Sequence, residues 1–304
     1  MNQTEPLIKQ GWLRVFVFCL CFFIFQVLSG LVLTLLFVLL KVSANPADAV
    51  QQLTDVNSSV ISLAIVIGFN FITSLLLVFL FRKLVDRKTI YSLGWNFSSY
   101  LSHAAVGFFV GVASIGLGTL VLTAMKNLQF TGWNIDAGDI GFALGLLILV
   151  AVAEELVFRG YILNNLMQST NKYAALILSS LIFALAHGAN PNFSWLAFVN
   201  IFLAGLFLGI NYIYTQNLWY AVMLHFTWNF LQGPILGYEV SGTNLPGIFQ
   251  IDLTGSDLIT GGKFGFEGSV IASAVMILFT VVVAMVYRKK TLNTFVNNMK
   301  AIRN

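Results

Sequence analysis

Apolar residues run through this chain in long blocks separated by short polar stretches. The blocks fall near 15–40, 58–81, 102–125, 140–166, 173–189, 193–213, 217–237 and 268–287. A helix crosses the hydrocarbon core of a bilayer with about 20 mostly apolar residues. The pattern therefore predicts an all-α fold, a polytopic transmembrane bundle of about eight spans. The block at 140–166 is long enough to tilt or protrude. There is no internal repeat and no low-complexity tract, so residues 1–304 read as one integral-membrane domain. The longest polar segment, 238–267, is rich in Gly, Asp and Thr. It is expected outside the membrane, either as a cap on the bundle or as a mobile loop.

The first block invites comparison with a secretory signal. Its apolar stretch far exceeds the roughly 7–15 residues of a signal h-region. Val42, Ser43 and Ala44 resemble a cleavage site, but an uncleaved span is the reading adopted. Composition agrees with lipid as the main solvent. Hydrophobic residues make up 58% of the chain and charged residues 9%, against about 25% charged in soluble proteins. Mean hydropathy is +0.86, which excludes an ordinary soluble domain. Cys19 and Cys21 lie two apart and point to different sides of a helix. They read as small apolar fillers rather than a disulfide or a metal site.

The net charge of +4 does not imply nucleic acid. The basic residues cluster at the ends of apolar blocks and are not interleaved with aromatics on a polar surface. Lys9 and Arg14 precede the first block, Arg82, Lys83, Arg87 and Lys88 follow the second, and Lys172 lies between the fourth and fifth. Arg288, Lys289, Lys290, Lys300 and Arg303 follow the last. The alternate loops carry acids instead: Asp48 and Asp55, then Asp136 and Asp139, then Glu239, Asp252, Asp257 and Glu267. The positive-inside rule then places the chain in the inner (cytoplasmic) membrane with both termini cytoplasmic. That orientation needs an even number of spans, which eight satisfies.

Three charges fall inside an apolar block: Glu154, Glu155 and Arg159. Ionisable groups within a membrane are costly and usually functional. Glu155 and Arg159 are four apart and face each other on a helix, so that pair reads equally well as a structural ion pair. Glu154 has no such local partner. His187 and His225 also lie in apolar blocks, the second with Asn229 one turn on and on the same face. His103 sits at a span start and reads as an interface residue. The fourth and fifth blocks form a hairpin turning near Thr170. Counting at about 1.5 Å per residue puts Glu154 and His187 both roughly 25 Å from that turn, so they can meet. His225 and Asn229 lie somewhat shallower, roughly 12–18 Å in.

Such a cluster suits water activation. A carboxylate in a low-dielectric site is a competent general base. Glu154 can take a proton from water, with His187 orienting or sharing it. His225 and the Asn229 amide can donate to the oxyanion formed when hydroxide attacks a carbonyl. Arg159, paired with Glu155, would hold the local geometry. The same atoms admit a second mechanism, in which Glu154, His187 and His225 bind Zn²⁺ with a water in the fourth position. The spacing is not that of the H-E-x-x-H zinc proteases, and no cofactor is certain from the sequence.

These residues carry a family resemblance. Glu154-Glu155-Leu-Val-Phe-Arg159 resembles the E-E-x-x-x-R motif of the CAAX-protease and bacteriocin-processing (CPBP, Abi-like) family. Phe183-Ala-Leu-Ala-His187 resembles its F-x-x-x-H motif, with Phe183 in support, and His225-Phe-Thr-Trp-Asn229 its H-x-x-x-N motif. The three occur in order on separate spans, defining a core at about 140–232. The resemblance implies a helical membrane fold with a catalytic cavity within the bundle. It implies Glu154 and His187 as the water-activating pair and His225 with Asn229 as oxyanion stabilisers. It also implies an intramembrane endopeptidase; the substrate does not carry over with the resemblance, and a membrane-bound or amphipathic peptide or protein is the expectation. The alternative is a non-catalytic membrane scaffold or bacteriocin self-immunity protein of the same fold. A small transporter is a third reading, but its Gly- or Pro-interrupted repeats are missing.

Overall fold

Each of the eight apolar blocks holds a helix in the computed structural model, which describes residues 5–39, 47, 60–95 and 100–303. Val42, Ser43 and Ala44, and the acids Asp48 and Asp55, lie outside the described residues. The helices are α1 (Gly11–Leu39), α2 (Val60–Leu80), α3 (Tyr100–Ala124), α4 (Ala137–Glu155), α5 (Lys172–Ala186), α6 (Trp195–Gly209), α7 (Trp219–Phe230) and α8 (Val270–Arg303). Six segments among the described residues are long and apolar enough to cross a membrane. The two others, α5 and α7, have 15 and 12 residues. At about 1.5 Å per residue neither regular helix spans a core of roughly 30 Å. Both carry site motifs; α5 ends at His187, and α7 runs on into a π-helical stretch, Leu231–Ile235.

Helices α4, α5 and α6 start where the sequence provides N-caps. Asp136 accepts from the Gly138 and Asp139 amides to begin α4, Asn171 from Tyr173 and Ala174 to begin α5, and Ser194 from Ala197 to begin α6. These side chains satisfy donors that lipid could not. Close packing is set by small residues. A Cβ on Gly107 of α3 would stand 2.3 Å from the Tyr220 carbonyl of α7, and one on Gly111 would stand 2.9 Å from Thr227. Membrane helices approach this closely only through such small positions. The outward faces remain apolar, with Phe23, Leu101 and Phe109 each about two-thirds exposed for lipid to cover.

The helical pattern did not announce a small sheet. Strand β1 (Leu128–Trp133) pairs antiparallel with β2 (Phe249–Leu253), with an irregularity between Phe130 and Gly132. This sheet ties the α3–α4 connection to the segment before α8. Exposed aromatics ring both ends: Trp12, Tyr91 and Tyr173 at the basic end, and Trp133 and Trp195 at the other. Such belts sit at the lipid–water boundary.

At the basic end, three charges assigned from the sequence to span ends are buried. Asp86 is fully buried and accepts from Arg14 at 3.2 Å and Arg82 at 2.7 Å. Tyr161 and Asn165 donate to it at 3.3 and 3.2 Å. Arg14 also reaches Gln168 at 2.9 Å. One carboxylate thus fastens α1 and the end of α2 to the end of α4. The charges leave water because every one has a partner, the condition on which buried ions are tolerated.

Candidate active site

Glu154 and Glu155 close the regular part of α4, and the helix continues as a π-helical stretch, Leu156–Leu163. A π turn widens the helix and shifts its main-chain pairing, and such turns recur at functional sites. Neighbouring side chains take up the slack. Ser179 of α5 donates to the Phe158 carbonyl, and Asn165 to that of Tyr161, each at 3.0 Å.

Successive residues on a helix point about 100° apart, so the two carboxylates meet different surroundings. Glu155 is fully buried. Its Oε1 accepts from Arg159 Nη1 and from His225 Nδ1, each at 2.8 Å. Arg159 also donates to the Gly205 carbonyl at 3.2 Å, and its guanidinium lies 4.4 Å from the Phe183 ring centre. Glu154 turns to a cavity. Its Oε2 stands 3.5 Å from His187 Nε2 and has no hydrogen-bond partner among the described residues. The meeting of Glu154 and His187 expected from residue counting is present.

His187 caps the end of α5. Its Nδ1 donates to the Phe183 carbonyl at 2.8 Å, and its ring lies 4.4 Å from the Phe183 ring. A carbonyl only accepts, so Nδ1 carries the hydrogen and Nε2 is left for Glu154. The same reasoning applies to His225: Glu155 takes the Nδ1 hydrogen, and Nε2 is the ring atom left for the cavity. Asn229 lines the cavity one turn further along α7.

The cavity has a volume of about 470 Å³ and opens between α1, α2, α4, the end of α5, α7 and the outer loop. That size suits a peptide segment or a small ligand. Glu154, His187, His225 and Asn229 share its wall with the polar side chains Gln26 and Asn70. The sequence-predicted residues Glu154, Glu155, Arg159, Phe183, His187, His225 and Asn229 are thus brought together, Glu155, Arg159 and Phe183 behind the wall. Glu154, His187 and His225 do not converge as a metal-ligand set. Among the described residues no group of three or more His, Cys, Asp and Glu side chains could hold a metal ion.

Sequence reasoning missed a third acid. The segment 238–267 caps the cavity, with Val240, Ser241, Thr243 and Leu245 in its lining. Glu267, assigned from the sequence to this outer loop as a solvated charge, is buried beside it. It shares a smaller pocket with His187, His225 and Asn229. Ser241 donates to the Glu267 carboxylate, and Asn200 of α6 donates to the Glu267 and Ser269 carbonyls at 2.7 and 2.8 Å. Burial pushes the Glu267 carboxyl above the usual carboxylate range, against the pull of the Ser241 hydrogen bond and of His187 and His225. The intramembrane Asn200 was the only sequence signal of this arrangement.

The sequence is similar to known membrane peptidases. Residues 136–231 match the family described as type II CAAX prenyl endopeptidase Rce1-like. In that stretch the chain is similar to the CAAX-protease and bacteriocin-processing family, a class of polytopic helical membrane peptidases. It is 26% identical over 232 residues to the Bacillus subtilis (strain 168) protein named "Putative membrane peptidase YdiL", covering 73% of this chain and 86% of the relative. No solved structure matches.

Proposed function

We propose that this protein is an intramembrane endopeptidase in which Glu154 activates water. The observation that carries the reading is the Glu154 carboxylate on the cavity wall, its Oε2 3.5 Å from His187 Nε2 and without a hydrogen-bond partner among the described residues. A water seated against both groups gives one proton to Glu154 while His187 Nε2 holds its other hydrogen. The hydroxide so formed attacks the peptide carbonyl carbon. The developing oxyanion is met by the Asn229 amide and by His225. Because Nδ1 of His225 already donates to Glu155, its Nε2 donates to the oxyanion when the ring carries a second proton. Arg159, held by Gly205 and Phe183, fixes Glu155. Collapse of the tetrahedral intermediate breaks the C–N bond, and the proton held by Glu154 passes to the departing amine.

The substrate proposed is a membrane-bound or amphipathic peptide or protein, entering a cavity walled by membrane helices. The basic end of the bundle, with α1 beginning and α2 ending there, supports an inner-membrane protein with both termini cytoplasmic. The test compares new peptide termini in membranes of cells carrying wild type or Glu154→Ala at equal abundance. Termini that appear only with wild type are expected. Full complementation by Glu154→Ala, with no wild-type-specific termini, would establish the scaffold or self-immunity alternative instead.

A further inference from the structure

The roof of the cavity contains a built turn whose residues the catalytic scheme does not use. Val240 and Thr243 exchange main-chain hydrogen bonds in both directions, each at 2.8 Å. Between them Ser241 and Gly242 take φ of 50° and 81°. A two-residue connection with both central φ positive is a type I′ turn, whose first position usually holds Asn, Asp or Gly. Serine seldom takes such a backbone, and a residue held there by its surroundings points to function.

The surroundings do hold it. The Gly242 amide donates to the Phe264 carbonyl at 3.0 Å, and a Cβ on Gly242 would stand 2.1 Å from the Pro191 carbonyl. The turn is therefore wedged beside the loop that follows His187. Ser241 lines both the main cavity and the smaller pocket. Its hydroxyl hydrogen goes to Glu267, and Glu267 is itself pinned through its main chain by Asn200. A serine hydroxyl has one hydrogen and two lone pairs. With the hydrogen committed to Glu267, Ser241 offers the cavity only an acceptor.

The neighbouring Asn229 amide and His225 suit a carbonyl oxygen. An extended peptide also carries N–H groups, and in a site without bulk water each must find an acceptor. We propose that Ser241 accepts a hydrogen bond from a main-chain N–H beside the scissile bond of the substrate, with Glu267 as the positioning residue that orients its hydroxyl. This rests on the peptidase reading above.

The experiment uses the full chain in proteoliposomes and a synthetic peptide spanning a cleavage site that wild type cuts and Glu154→Ala does not. Ser241→Ala is expected to raise KM by roughly 3- to 10-fold, the worth of one hydrogen bond, with kcat little changed. Glu267→Gln is expected to restore binding relative to Glu267→Ala. Peptides N-methylated at single amides around the scissile bond supply the decisive comparison. One position should weaken wild type by the same factor and leave Ser241→Ala no weaker than with the parent peptide. Additive losses in Ser241→Ala at every position overturn the proposal. Should that variant fail to fold, the wild-type series decides alone: no position losing about 3-fold or more overturns it. Absence of any Glu154-dependent cleavage overturns the peptidase reading and this inference together. Glu154-dependent cleavage indifferent to Ser241 overturns this inference alone.

Discussion

Glu155 Oε1 accepts from His225 Nδ1 at 2.8 Å, joining α4 to α7 through a fully buried carboxylate. The same oxygen holds Arg159. Removing the carboxylate strands a buried guanidinium, which destabilises by about 3–5 kcal/mol. Glu155→Ala is therefore expected to lower the thermal midpoint of the detergent-solubilised protein sharply. Glu155→Gln keeps an acceptor oxygen and should fall between that variant and wild type. Equal midpoints for Glu155→Ala and wild type would contradict this account.

Glu154 behaves oppositely. Its contact in the wall is the 3.5 Å approach to His187 Nε2, where glutamine keeps an oxygen, so Glu154→Gln should unfold close to the wild-type temperature. Loss of a general base should nevertheless lower cleavage by roughly 10²–10⁴-fold. A thermal scan beside a cleavage assay separates the two effects. Exhaustive chelation should leave wild-type cleavage unchanged, because water activation is assigned to Glu154 and His187 without a metal; loss on chelation with recovery on added Zn²⁺ would refute it.

Gly107 controls how closely α3 approaches the helix that carries His225 and Asn229. Its missing Cβ would collide with the Tyr220 carbonyl at 2.3 Å. Gly107→Ala is expected to destabilise by about 1–3 kcal/mol, as overpacked sites do. Gly116, on the same helix, has nothing within 4 Å of its added Cβ. Gly116→Ala should leave the midpoint unchanged, and parallel unfolding curves for the two variants would argue against close packing here.

Burial raises the Glu267 carboxyl above its unfolded value. The folded chain then holds a proton that the unfolded chain has released, so stability falls as pH rises from the ordinary carboxylate range through the raised value. His187 and His225 act on Glu267 electrostatically, and Ser241 by its hydrogen bond. Glu239 is also raised by burial, with Lys263 opposing. Thermal midpoints across that window should decline less in Glu267→Gln than in wild type, with Glu239→Gln measured alongside to account for the second carboxyl. Identical slopes for wild type and Glu267→Gln would place Glu267 outside the titration.

Much of the site was legible because a membrane makes charge conspicuous. Glu154, Glu155, Arg159, His187, His225 and Asn229 stand out in apolar blocks, and counting along the hairpin brought Glu154 to His187. Glu267 was not legible. It lies among Gly and Phe at the edge of a polar segment, where an acid ordinarily meets water. Arg14 and Asp86 misled for the same reason, since their burial follows from partners far along the chain, each other and Tyr161 and Asn165; Arg82 follows them through Asp86 one turn away.

The sequence by itself determined a helical membrane protein, the ends of the bundle at which its basic residues gather, and the three motifs that meet at the cavity. Those properties follow from the cost of placing polar groups in hydrocarbon, which acts residue by residue and can be read along the chain. The tertiary structure decided that Glu155 bridges Arg159 and His225, that α5 and α7 stop short, and that segment 238–267 folds over the cavity to bring Ser241 and Glu267 to it. Those outcomes depend on which side chains find partners across long separations in sequence, and no local pattern encodes that pairing.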